Sequence, residues 1–570
     1  MKRDFLHRVR ISHRRLVGAM LAMAMAFAAA ASAYAELPWW RDARGPAYQV
    51  LVYSFADSDG DGWGDLRGLT DKLDYLAGEL GVSALWLSPI NTASSYHGYD
   101  VVDYRAVDPR LGSMADFERL AAAASERGVK IILDLVFNHT SREHPWFVDA
   151  LKSASSPYAS WYRRREPGVS YGSGGLGRFY RATRPDGSSF EYFSAFWEGM
   201  PDLNLDNTDV VNELKSIMAF WLEKGADGFR FDAAKHAFDP NEMPSGTGTL
   251  ALNRAFWNDL RRAARRVKPE VFFIGEVLSE SVLELVAYAP VFDSLFDFPA
   301  ARYILDLLGR GTPGNFLGAY ASAYGQYVRT PGFTPAPLLT NHDQDRAMSV
   351  ILSRLGLDAA AGAGLEPADG AAVRGSKELA WARAKMGASL YQTLPGLPFV
   401  YYGEELGMTG RRYANDDLAR RDAFPWKAGP GLPNVAWPRS SAKVEPGQNR
   451  LTPVLADQRA DSASLFNHYR GLAALRAASP ALRRGGYAPV PWAELQGGYL
   501  LAWLRTDESE TALVMHNLDS IPWVGRAPAG VRLRALWSSA GRLAAGDAPL
   551  APGASLSLGP GESAVFIVLP

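Results

Sequence analysis

The sequence predicts a closed (β/α)8 TIM barrel with a domain inserted after its third strand and an antiparallel β-sandwich at its C-terminus. Three observations carry this expectation. Short apolar runs alternate with longer segments of helical periodicity from residue 47 to residue 478. The connection between His139 and Pro201 is far longer than an ordinary βα loop. Beyond residue 487 the pattern changes to short alternating runs, such as YLLAWLRT and SAVFIVLP, separated by Gly and Pro. A doubly wound open sheet has the same strand-helix rhythm, so closure of the barrel is an expectation rather than a reading of the local pattern.

The first element is not part of the fold. MKRDFLHRVRISHRRLVGAMLAMAMAFAAAASAYA has a basic start, an apolar run from Leu16 to Ala31 and small residues suited to cleavage after Ala33 or Ala35. It reads as an export signal, residues 1–35. A membrane anchor is the alternative, but the run is shorter than the roughly 20 residues that span a bilayer. Removing the signal takes away six Lys/Arg and one Asp, which turns the formal charge of −1 into about −6. A mildly acidic surface argues against nucleic acid and anionic membranes as partners. The chain has no cysteine, which excludes disulfides, thiolate metal sites and a Cys nucleophile.

The strand candidates follow in order: AYQVLVYSF, SALWLSPI, VKIILDLVFNH, ADGFRFDAAKH, VFFIGEV, SLFDFP, APLLTNHD and LPFVYYGEE. Between them lie helical stretches such as SMADFERLAAAASERG and VVNELKSIMAFWLEKG, the latter with Val211, Leu214, Met218 and Trp221 on one stripe. The expected division is a barrel over 36–139 and 205–484, an inserted domain over 140–204 and a sandwich over 485–570. A second long polar loop should run from about Met408 to Asp461.

In such a barrel the active site lies at the C-terminal ends of the strands. The third strand ends with Asp134, Asn138 and His139; the fourth with Arg230, Asp232, Lys235 and His236; the fifth offers Glu276; the seventh ends Asn341, His342, Asp343. The loop after the second strand adds Tyr96, His97 and Tyr99. Arg230 and Asp232 are two residues apart on a strand and share one face. An ion pair there needs a reason other than stability, because desolvation cancels much of its attraction. Carboxylates around an arginine, with histidines and aromatic rings, suit hydrolysis of a glycosidic bond, which needs one attacking carboxylate and one carboxylic acid. Arg230 should keep Asp232 ionised, while the apolar surroundings of Glu276 should raise its pKa. Each acid taken alone reads rather as a capped strand end or a satisfied barrel ion pair; the set reverses that reading.

DSDGDGWGD (57–65) places aspartates at alternate positions around glycines, as in a calcium loop. An EF-hand would need Glu at position 68, which is Gly68. A solvated acidic turn is the other reading.

Together these motifs resemble the α-amylase family: DLVFNH (134–139), MPDLN (200–204), GFRFDAAKH (228–236), FIGEV (273–277), TNHD (340–343), SFADSDGDGWGD and GLPFVYYGEELG stand in that family's order along nearly the whole mature chain. The resemblance implies Asp232 as nucleophile, Glu276 as general acid/base and Asp343 as the third carboxylate. It places Tyr99, His139, Arg230 and His342 around the sugar at the cleavage point and Lys235 and His236 on the leaving-group side. It implies a structural calcium held by Asp57, Asp59, Asp61, the Trp63 carbonyl and Asp65, with a second position at Asn138 and Asp202. The expected activity is an exported, monomeric α-amylase cleaving internal α-1,4 bonds of starch or maltooligosaccharides. An exo-acting α-glucosidase, an oligo-1,6-glucosidase or a neopullulanase-type enzyme is the alternative, because MPDLN and the aspartate-rich loop look intermediate. A non-catalytic binding protein on the same barrel is a remoter one. Arg421, in RRDAFPW, departs from the family's R-x-P-M-x-W form, and this leaves its role open.

Overall fold

The computed structural model describes residues 37–357, 370–412, 417–436, 452–541 and 548–569. The export signal expected over 1–35 lies outside the described residues, as does part of the loop expected over 408–461.

The eight apolar runs become eight parallel strands: β1 (Ala47–Val50), β2 (Ala84–Leu87), β3 (Lys130–Leu135), β4 (Gly228–Phe231), β5 (Phe272–Gly275), β6 (Ser294–Phe296), β7 (Thr334–Ala336) and β8 (Phe399–Tyr401). They pair in the order β7-β6-β5-β4-β3-β2-β1-β8. The ends of that order meet through two hydrogen bonds, Leu397 N–H to the Pro335 carbonyl (3.1 Å) and Phe399 N–H to the Pro337 carbonyl (2.8 Å). Pro335 and Pro337 have no N–H to return, which thins this seam. The same prolines explain the one strand displaced from expectation: β7 ends at Ala336, where the sequence reading had it begin.

Inside the barrel Trp86, Ile132, Ile274, Phe296 and Phe399 fill the lower half. The outward faces of the strands pack on the helices, and α1 (Met114–Glu126) and α2 (Thr208–Glu223) show how. Ser113 and Asp116 cap α1 reciprocally. α2 buries Val210, Leu214, Ile217, Met218, Trp221 and Leu222. Val211, expected on that stripe, sits at its margin, because a helix face a little over 100° wide reaches Val210 first.

The long β3–β4 connection carries a hairpin (Arg178–Thr183 with Ser189–Ser194) and bridges back to the barrel at His139–Asp202. At the C-terminus, five antiparallel strands pair in the order Gly486–Pro489, Leu500–Thr506, Thr511–Asn517, Ser563–Leu569, Arg532–Ser538. A two-stranded sheet (Trp523–Arg526 with Ser555–Leu558) shares their core of Leu513, Met515, Leu533, Leu556 and Phe566. Buried Arg505 ties this region to the barrel by donating to the carbonyls of Thr393 (2.6 Å) and Leu482 (3.0 Å). Among the described residues no helix is long and apolar enough to cross a membrane.

Candidate active site

Register places the charges. Asp134 on β3 lies opposite Arg230 on β4, which lies opposite Ile274 on β5. Alternation sends Phe229 and Phe231 outward to Trp257 and Phe273 and turns Arg230 inward. There its guanidinium, fully buried, lies 5.2 Å from the Trp86 ring centre. Nη1 donates to Asp134 Oδ1 and to Asp232 Oδ1, both at 2.7 Å. Nη2 lies 2.9 Å from Glu276 Oε2 as an ion pair without hydrogen-bond alignment. One guanidinium therefore serves three carboxylates from three consecutive strands.

Glu276 follows the last residue of β5, and its Oε2 accepts the backbone N–H of Ala233 at 3.1 Å. Ala233 has φ +46°, and it is the single non-glycine residue with positive φ among the described residues. The strand turns sharply after Asp232 to make this contact.

Asp343 stands apart. Its side chain is 41% exposed, and Arg421 Nη2 donates to Oδ1 at 2.9 Å while Arg421 Nε donates to the His342 carbonyl at 3.2 Å. The role left open for Arg421 is thus a structural clamp on the third carboxylate. His342 Nε2 is 3.2 Å from the other oxygen.

A relay fixes the ring orientations. Gln49 Nε2 donates to His342 Nδ1 (2.8 Å), which places the imidazole proton on Nε2, facing the Tyr99 hydroxyl; Tyr99 in turn donates to Asp134 Oδ2 (3.0 Å). The Tyr99 and His342 rings stack 5.3 Å apart at 11°. His139 Nε2 donates to the Tyr99 carbonyl at 3.1 Å. Burial lowers His139 to about 4 and His342 to about 3, so both are neutral at physiological pH.

The electrostatics differ from the sequence expectation. Burial, opposed by Arg230, pushes Glu276 up to about 7, as expected. Burial also pushes Asp232 up to about 7, because Arg230 divides its charge among three acids and Asp134 repels the neighbour. Asp134 itself is raised to about 6 by burial. Burial resists ionisation of Asp343 too, but His342, Arg421 and Arg230 outweigh it and hold it at about 2.

Two expected contacts turn elsewhere. Lys235 Nζ bonds the Leu278 carbonyl (2.8 Å) and Glu284 (3.3 Å), bracing the loops after β4 and β5. His236 Nδ1 pairs with Asp239 (2.8 Å).

The aspartate loop after β1 gathers Asp57, Asp59 and Asp61, whose nearest carboxylate oxygens all lie within 4.8 Å of one another. Gly60 and Gly62, at φ +88° and +97°, let the chain curl so that their N–H groups reach Asp57 Oδ1 (2.7 Å) and Oδ2 (2.9 Å). The Trp63 N–H donates to Asp61 at 2.7 Å. Asp65 is not in that group: it caps the helix Leu66–Asp71 through Gly68 N–H (2.7 Å) and takes both the N–H and hydroxyl of Ser58 (2.8 Å each). Asn138 donates to Asp202 at 3.0 Å, which occupies the second expected position with a direct contact.

A barrel that brings paired carboxyl groups and a third acid to one strand-end mouth defines a glycoside hydrolase. The profile of the α-amylase catalytic domain matches residues 49–485, and the chain belongs to the α-amylase family. It is 36% identical over 489 residues to "Alpha-amylase 3" of Dictyoglomus thermophilum, covering 85% of this chain and 86% of that one. It is 31% identical over 535 residues to a "Palatinase" of Erwinia rhapontici (84% and 90% covered). The crystal structure of an α-amylase from H. orenii superposes with TM-score 0.74 at 33% identity, covering 92% of this chain and 99% of that one.

The strand-end reading passed over two members of the site, of which only the first carried a signal. Gln49 is a lone amide in an apolar strand, the same kind of anomaly as Arg230. Trp86 donates its indole N–H to Asp134 at 3.1 Å, and nothing in its strand context distinguishes it from a core residue.

Proposed function

We propose that the enzyme hydrolyses internal α-1,4-glucosidic bonds of starch and maltooligosaccharides with retention of anomeric configuration. The observation that carries this is the Arg230 fork, which confines Asp232 and Glu276 to one small space, as a retaining pair about 5–5.5 Å apart requires. Arg230 makes an aligned hydrogen bond to Asp232 but only an ion pair to Glu276, which favours the charge on Asp232 and the proton on Glu276. Oε2 of Glu276 receives the Ala233 N–H, so its proton sits on Oε1. Asp232 attacks the anomeric carbon while Glu276 protonates the leaving oxygen; Glu276 then deprotonates the water that releases the glycosyl ester. Asp343, ionised throughout, accepts sugar hydroxyls.

The α-1,4 endo assignment draws on the 36% identical α-amylase. A second reading, an exo-acting α-glucosidase or oligo-1,6-glucosidase on short oligosaccharides, is favoured by the palatinase relative. Reducing-sugar release from starch by the wild type, and its loss in Asp232→Asn and Glu276→Gln, tests the hydrolase. Product chromatography on maltoheptaose, isomaltose, pullulan and sucrose separates the two readings: glucose alone, released one unit at a time, would sink the endo assignment.

On the same reading the enzyme is an exported monomer, acting in a periplasm or outside the cell. Asp57, Asp59 and Asp61 would hold a structural calcium, since three hard oxygen donors within 4.8 Å of one another fit across one coordination sphere of such a cation. Its role there is to clip the β1 loop, which also bonds Pro433 and Ala436 after β8 through Asp57 N–H and the Gly62 carbonyl.

A further inference from the structure

We infer that Gln49 is a positioning residue for the reaction: its amide N–H holds the His342 ring so that the ring's own N–H points at Asp343 and Tyr99. The inference deepens the glycosidase reading above, on which it rests, by adding to the site a residue from β1.

Gln49 lies within β1, 1% exposed. Its Nε2 reaches His342 Nδ1 at 2.8 Å, in the segment after β7, and Ser88 Oγ at 3.4 Å, just after β2. An amide can offer an imidazole either its N–H or its oxygen, and the contacts around the ring decide which. His342 Nε2 faces the Tyr99 hydroxyl and, at 3.2 Å, Asp343 Oδ2. The hydroxyl gives its only proton to Asp134 Oδ2 at 3.0 Å, and Asp343 is ionised, so both neighbours of Nε2 accept. The ring proton therefore belongs on Nε2, and Nδ1 keeps a lone pair that the Gln49 N–H satisfies.

Stability does not account for this amide. The orientation that serves His342 leaves Gln49 Oε1 buried without a partner, which destabilises the fold. A methionine of similar volume would remove that orphan and create another at His342 Nδ1, so the two side chains are close to equal for folding. They are not equal for the reaction. The amide is the anchor on one side of the ring, and without it the imidazole can turn its N–H away from Asp343. A donor fixed in place before the substrate arrives costs no reorganisation in the transition state. Gln49 meets the ring at the nitrogen away from Asp343 and therefore acts through His342.

The test compares the wild type with Gln49→Met. The variant should lose about tenfold in kcat on maltoheptaose, with KM changed less than about threefold and the melting temperature within about 2 °C of wild type. The acid limb of kcat/KM should move to higher pH, because a His342 no longer held in place lowers the pKa of Asp343 less. Arg421 and Arg230 still face that carboxylate, and Asp232 and Glu276 still repel it. In 15N NMR of histidine-labelled wild type, with His342 assigned by its loss in His342→Asn, Nε2 should be protonated and Nδ1 bare, and the Nδ1 signal should shift in Gln49→Met. A wild-type proton on Nδ1, or an unchanged kcat in the variant, would overturn the role of Gln49. So would a kcat loss that comes with a lower melting temperature and an unmoved acid limb, since that is what a packing residue does. A wild type that cleaves no α-glucan sinks the glycosidase reading instead, while the ring signals still decide whether Gln49 orients His342.

Discussion

Ala233 donates its backbone N–H to Glu276 Oε2 at 3.1 Å from a left-handed conformation, φ +46°. An L-residue with a Cβ is disfavoured there by about 1–2 kcal/mol, and the strain persists because it aims a donor at the acid. Ala233→Gly should remove the strain and raise stability by up to about 1 kcal/mol, reduced by the larger entropy of Gly in the unfolded chain. Thermal unfolding checks this; a lower melting temperature in the variant would show that the conformation carries no strain.

His342 and Arg421 together hold Asp343 ionised at the edge of the site. Arg421→Met should let the carboxyl of Asp343 rise from about 2 toward its ordinary range. Because Asp343 acts ionised, activity should then fail at a higher pH on the acid side, and kcat/KM at neutral pH should fall about 10- to 100-fold. The pH profile of kcat/KM measures both, and an acid limb that stays in place refutes the clamp.

Glu404 lies buried behind β8, where its Oε1 accepts the hydroxyls of Tyr391 (3.0 Å) and Tyr469 (2.7 Å) and Oε2 has no partner. Burial pushes it up to about 8 despite the tyrosines. Between its ordinary value of 4.5 and about 8, the folded chain keeps a proton that the unfolded chain releases. Stability from this group is full below 4.5 and is lost as pH rises through that window. Glu404→Gln keeps an acceptor for the tyrosines and has nothing to titrate. The variant should gain on the wild type by on the order of 1–3 kcal/mol between pH 5 and pH 8.5, read by denaturant unfolding. Parallel stability curves would exclude the effect.

Calcium at Asp57, Asp59 and Asp61 would stabilise the fold by binding it preferentially. Chelation with EDTA should lower the melting temperature, added calcium should restore it, and Asp57→Asn should abolish the difference. A melting temperature indifferent to EDTA would leave the loop as an acidic turn.

N-terminal sequencing of the protein recovered from the culture of a producing cell should begin at Tyr34 or Glu36. A retained Met1 would return the first segment to the membrane-anchor reading.

Much of the fold was legible in the residues because the apolar strand runs end on polar residues and several helices begin at capping residues such as Ser113, Asn207 and Ser281. Asp65 shows the limit: an aspartate before LRGL is both a helix cap and a plausible metal ligand, and only its distance from Asp57 decides. Lys235 shows another, since its partner Glu284 lies at the start of the helix Val282–Tyr288 after β5, whose approach no local pattern encodes. Gln49 could have been read as Arg230 was, as a polar side chain that an apolar strand must satisfy across the barrel.

The residue order alone determined which acids stand at the strand ends and that Arg230 and Asp232 share a face, because strand periodicity is a local property. Closure of the barrel decided that Asp134, Asp232 and Glu276 divide a single guanidinium and that the pKa of Asp232 rises with that of Glu276. Desolvation and Coulomb energy depend on distance and burial, and these are set by contacts between residues far apart in the chain.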